Sequence, residues 1–161
     1  MSKVTGYSRA QIALHWGILL LLGVSYLSSD KMKAAWRAIH EGREAFGTTA
    51  AAHVWIGVAI LVLALVRVAI RVRRGAPDLP EGGHPVANLI AKLTHLGLYG
   101  LLLLIPVSGL MAWFGGVDAA GEVHEVMFNL GIALVILHVV GALYHQLVLK
   151  DGLMDRMKRA G

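Results

Sequence analysis

Cysteine is absent from the 161-residue chain. That excludes disulfides, thiolate metal sites and cysteine-ligated iron–sulfur clusters. Charge is scarce as well: Asp, Glu, Lys and Arg make up 16% of the residues, against 57% hydrophobic. A soluble chain this short has a high ratio of surface to volume and needs more charge to cover it. With a mean hydropathy of +0.65, the composition points instead to a chain solvated by lipid. Carboxylates are essentially missing from the interior of the long apolar runs; Glu122 and Glu125 stand at the rim of the last one. A metal-ion path would normally recruit such carboxylates as ligands or proton relays, so a metal transporter is the weaker reading. What the chain does have is eight histidines, an anomaly in so apolar a sequence.

Four apolar runs, about 12–28, 53–72, 93–114 and 123–149, are each plausible spans, because a helix needs roughly 20 residues to cross the bilayer core. None alternates with period two, so helices are expected over a barrel. Pro106 inside the third run is tolerable there and can kink it. The expected fold is an all-α integral membrane four-helix bundle, one transmembrane domain over 1–161. Met1 to Arg9 could pass for a secretory signal, but no small-residue cleavage site follows Tyr26, so the first run reads as a retained span.

The net charge of +5 flanks the apolar runs. It forms no surface stripe, so no nucleic-acid partner is expected. Eleven Lys and Arg residues fall on the side of the two termini, among them Lys3, Arg67, Arg71, Arg73, Arg74 and Lys92, and four on the other side. The positive-inside rule then places both termini in the cytoplasm. The external four are Lys31, Lys33, Arg37 and Arg43, in a segment whose pattern around Trp36 and Ile39 suggests a short amphipathic surface helix. The segment 75–91, with Pro77, Pro80, Gly82, Gly83 and Pro85, reads as a turn-rich connector, and 115–122 as a short outside loop. The tryptophans near span ends read as an interfacial belt.

His124, His138 and His145 share the fourth run at intervals of fourteen and seven residues, so they lie along one helix stripe. Fourteen residues put His124 and His138 about 21 Å apart along the axis. Gly131 lies midway on that stripe and leaves room for a flat macrocycle. His53 opens the second span level with His124, and His15 lies in the first span level with His138. Two histidine pairs at two depths are what two six-coordinate haems in a bundle require. Arg67, fourteen residues after His53, is expensive at the depth of the inner pair unless something anionic such as a haem propionate compensates it. A lone intramembrane histidine is as readily a helix–helix hydrogen-bonding group; four at matched depths are not. His95 could compete with His15 as the inner ligand, and His145 could bind a quinone carbonyl or a propionate. His40 and His84 read as surface residues.

The sequence resembles the prokaryotic cytochrome b561 family. The matching stretches are Tyr7-Ser8-Arg9 leading to Ala13-Leu14-His15-Trp16; His53 with Arg67; His95 followed by Pro106-Val107-Ser108-Gly109; His124-Glu125; His138 followed by Ala142-Leu143-Tyr144-His145; and Lys150-Asp151-Gly152. The resemblance covers nearly the whole chain. It implies two haem b groups, on His53 with His124 and on His15 with His138, in the bacterial inner membrane. Its nearest functional pattern is oxidation of superoxide at the periplasmic face with reduction of ubiquinone. An alternative is a membrane-anchor cytochrome b subunit passing electrons between a partner dehydrogenase and quinone. The connection between spans three and four departs from the family pattern in being short, which changes the cover over the outer pair. The four external basic residues could steer an anion towards that pair, or simply rest among lipid headgroups.

Overall fold

A computed structural model of the chain describes residues 6–43, 47–78 and 84–161. Lys3 of the charge count, and Pro80, Gly82 and Gly83 of the expected connector, lie outside the described residues. Among those described there are helices and no strands. In chain order they are α1 (Arg9–Leu27), α2 (Ser29–His40), α3 (Thr48–Arg74), α4 (Pro85–Gly115) and α5 (Asp118–Tyr144). A π turn over His145–Leu149 and a 3-10 turn over Leu153–Met157 follow.

Local chemistry sets the boundaries. Ser8 and Gln11 form a capping box at the start of α1: the Ser8 hydroxyl accepts from the Gln11 N–H at 3.2 Å, and the Gln11 side chain accepts from the Ser8 N–H at 2.9 Å. The other end of that side chain donates to the Gly75 carbonyl at 3.0 Å, tying the start of α1 to the end of α3. Three arginines in the last turn of α3 complement its exposed carbonyls, and Gly75 at φ 82° terminates it. The structure corrects the expected connector at 75–91. Pro85 is the first residue of α4, where its missing N–H costs nothing and its fixed φ suits a helix. The expected loop at 115–122 also shrinks. Gly116, left-handed at φ 63°, ends α4, and α5 begins at Asp118, whose carboxylate sits well at a helix N-terminus.

Four helices, Arg9–Leu27, Thr49–Arg74, Pro85–Gly115 and Asp118–Leu149, are long and apolar enough to cross a membrane. Their outward faces are strongly apolar; Leu27 is 82% exposed and Val72 80%, a pattern that lipid satisfies and water does not. α4 packs most extensively on α5, and α3 lies between α1 and α4. A Cβ at Gly97 would stand 2.8 Å from the Leu134 side chain, so glycine is what lets α4 and α5 approach so closely. The short amphipathic α2 forms as expected and lies against α3 at the end opposite the arginines. That end is called the far end below, and the other the basic end.

Candidate cofactor site

At the far end the rings of His53 and His124 face each other edge to face, 6.5 Å between centroids. The hydrogen bonds around them fix their protons. His124 Nδ1 stands 2.7 Å from the Ile105 carbonyl, which only accepts. The proton is therefore on Nδ1, and Nε2 carries the lone pair. Ser28 donates its hydroxyl proton to the Ser25 carbonyl at 2.9 Å. Its oxygen then accepts from His53 Nδ1 at 3.0 Å, which again leaves Nε2 as the base. An outer hydrogen bond of this kind is what orients a metal-binding imidazole. Ser25, Ser28 and Ser108 are small polar residues with no periodic signature, and the sequence reading missed their part here.

Between these rings opens a cavity of about 1150 Å³, bounded by α1, α2, α3, α4 and α5. That is somewhat larger than ordinary small-molecule pockets, about 300–1,000 Å³, and suits a large flat group. Leu22, Ile60, Leu101, Ile105 and Phe128 furnish its apolar wall. Gly131 lines it too, although a Cβ there would also stand 3.3 Å from Ile105, so this glycine serves the approach of α4 as well. Gly109 makes room for the ligand candidate itself: a Cβ there would lie 3.0 Å from two atoms of the His124 ring.

Towards the basic end, three imidazoles and a guanidinium gather. His15 and His138 are 6.2 Å apart between centroids, and His95 and His138 are 4.9 Å apart. His95 donates Nδ1–H to the Ala91 carbonyl of its own helix at 2.7 Å. Arg67 donates to the Gln11 carbonyl at 2.9 Å, reaches His15 Nδ1 at 3.4 Å, and lies 5.7 Å from the centre of the Tyr99 ring. A guanidinium has five N–H donors, enough to take a carboxylate besides these contacts. His145 is apart from this cluster. The π turn begins at it, and it binds Asp151 at 2.5 Å. Burial works against the Asp151 charge, but the hydrogen bonds from His145 and the Leu153 N–H outweigh it and hold its pKa below the ordinary value. Trp16, expected in a lipid belt, also donates to the Met157 carbonyl at 2.9 Å, docking the tail.

Metal–imidazole bonds are about 2.0–2.1 Å and each ring adds about 1 Å, so two imidazoles on one metal atom have centroids roughly 6 Å apart. Both the His15–His138 and the His53–His124 distances fit that spacing. The His95–His138 contact is too close for it. Among the described residues no group of three or more His, Cys, Asp or Glu side chains is arranged to hold a metal ion, so the imidazoles suit an iron whose remaining ligands come with a macrocycle.

The described residues form a helical protein with four apolar spans that presents facing imidazoles towards both ends of one bundle. The family model for prokaryotic cytochrome b561 matches residues 6–160, and the chain belongs to that family. It is 40% identical to cytochrome b562 of Cereibacter sphaeroides, over 99% of both chains. A probable superoxide oxidase, CybB, of Yersinia pestis is 27% identical, with 94% of each chain covered. Cytochrome b561 homolog 1 of Escherichia coli is 26% identical over 94% of this chain and 96% of its own. The protein is thus a multi-pass electron-transfer protein of the bacterial inner membrane, from a family that binds haem b.

Proposed function

We propose that the chain, one transmembrane domain with both termini in the cytoplasm, binds two haems b and carries electrons between the far end and the basic end. His53 with His124 would hold one haem, and His15 with His138 the other. The observation that carries this reading is the pair of ring separations, 6.5 and 6.2 Å, each the span of one six-coordinate iron. The close approach of His95 to His138 favours His15 as the partner of His138. When bound, haem b would supply a one-electron iron couple, which the four named histidines would hold. The protein's own part is to fix the protons of His53 and His124 through Ser28 and Ile105, to set Arg67 against a propionate, and to exclude water. Gly131 gives the far-end group room along α5. The reduced-minus-oxidised spectrum tests it, with haem counted per protein: two b-type haems are expected, and substoichiometric b-type absorbance would overturn it.

For the donor and acceptor, the reading is superoxide at the far end and ubiquinone at the basic end, near His138 and His145. Two superoxide anions each give one electron and leave as dioxygen; two electrons and two protons make ubiquinol from ubiquinone. The relative named as a probable superoxide oxidase supports this, as do Lys31 and Arg37 on α2. Pulsed superoxide should reduce the oxidised protein faster than a generic bis-histidine haem, in a salt-dependent way. A second reading, a partner dehydrogenase as donor, is favoured by the rim of the far-end cavity. There Asp30, Asp118, Glu122 and Glu125 outnumber Lys33 and His40, and Lys33 is paired with Glu125 at 2.5 Å. Such a rim suits a basic partner better than an anion. Copurification of a soluble redox subunit would decide for it.

A further inference from the structure

On an outward, apolar face of the bundle, α3 and α4 bound a cavity of about 430 Å³ whose lining includes none of the four proposed ligands. Val68 and Val72 of α3 and Leu96 and Leu103 of α4 line its walls. Its floor is Gly100, where an added Cβ would meet nothing within 4 Å. At its mouth stands Arg71, with its guanidinium carbon 5.5 Å from the centre of the Tyr99 ring. Stacked on that ring, a guanidinium keeps its in-plane N–H donors directed outward. Arg71 lies three residues before the end of α3, about 4.5 Å along the axis. Lys92 precedes Leu96 by one turn on the same stripe of α4, and Arg74 closes α3.

We propose that this groove is a binding site for one anionic phospholipid, its phosphate on Arg71 with Lys92 and Arg74 nearby, and one acyl chain laid over Gly100 between Val68, Val72, Leu96 and Leu103. Charge complementarity selects the occupant. A cationic mouth above an apolar trough open to the bilayer matches an anionic headgroup above a hydrocarbon tail, and basic pockets between spans on the cytoplasmic side bind such lipids. A general excess of basic residues would need neither the trough nor the stacked guanidinium.

The test uses the intact haem-loaded protein, stripped of lipid in detergent. Phosphatidylglycerol or phosphatidylcholine of the same acyl chains is added back, and retained lipid is counted by native mass spectrometry. One phosphatidylglycerol per chain is expected to be held in preference to phosphatidylcholine. Arg71→Gln should weaken it roughly fivefold, the worth of one basic residue against an anionic surface. Arg71→Lys should restore part of the loss. Gly100→Leu, which fills the trough, should abolish retention while the haem spectrum stays unchanged; if that variant does not assemble, the two Arg71 variants decide alone. Equal retention of both lipids, or indifference to Arg71→Gln, would overturn the proposal. So would displacement of the lipid by equimolar ubiquinone with an affinity that ignores Arg71, which would assign the groove to a neutral amphiphile.

Discussion

The Nδ1 protons of His53 and His124 are assigned by a serine oxygen and a backbone carbonyl respectively. The consequence can be measured at one side chain. Ser28→Ala removes the acceptor, and Ser25 at 3.4 Å is a poor substitute. Loss of an outer hydrogen bond of this kind costs about 10–100-fold in metal affinity, so haem titration of the purified variant should show the far-end site weakened by that factor and the other unchanged. Gly109→Ala acts on the opposite ring. Its Cβ would press on His124 at 3.0 Å, and electron paramagnetic resonance should lose the far-end haem signal and keep the one from the basic end. The histidines themselves were legible in the sequence, because a spacing of seven or fourteen marks a helix stripe. The serines were not, because a lone hydroxyl in an apolar run has no period and becomes meaningful only once α1 and α3 meet.

α2 is an element held in place by side chains at both ends. Lys33 pairs with Glu125, and His40 binds the Trp36 carbonyl through Nδ1 and Asp118 through Nε2, both at 2.9 Å. Two acceptors on two ring nitrogens suit the imidazolium. The Trp36 carbonyl first, and the Asp118 carboxylate second, raise the His40 pKa above the ordinary 6.5. A raised folded-state pKa gives stabilisation that is complete below the unfolded value and is lost as pH rises through the folded one. Hydrogen exchange over 29–40 should therefore be slow below pH ~6.5 and quicken as pH rises beyond it, and Asp118→Asn should reduce that dependence, leaving the part due to the Trp36 carbonyl. α2 was readable from its amphipathic pattern. The true start of α4 was not: its apolar run begins at Leu93, while the helix begins where His84 accepts from the Val86 N–H and Pro85 takes the first position. The pairing of His145 with Asp151 was hidden because the chain leaves α-helical register at the π turn.

For the whole molecule, the expectation is two haems in separate compartments of one bundle. His138→Ala should retain about half the haem, with the far-end site spectrally intact, since the two sites share α5 but no ligand. A complete loss would mean that the sites assemble as one unit. The four candidate spans among the described residues and the proposed orientation put both termini in the cytoplasm, so a reporter that works only there should be active when fused to either end. The cavity between His53 and His124 has a bearing on biogenesis as well as on chemistry. Side chains cannot collapse into about 1150 Å³ without rearranging the helices around it. A prosthetic group that binds only the folded bundle stabilises it by about 4 kcal/mol at a thousandfold excess over its dissociation constant. Synthesis of the chain and supply of its pigment are thereby coupled. On the proposed reading, polypeptide made ahead of the pigment should be loosely assembled and open to membrane proteases, so the number of finished carriers should follow the cell's capacity to make tetrapyrrole.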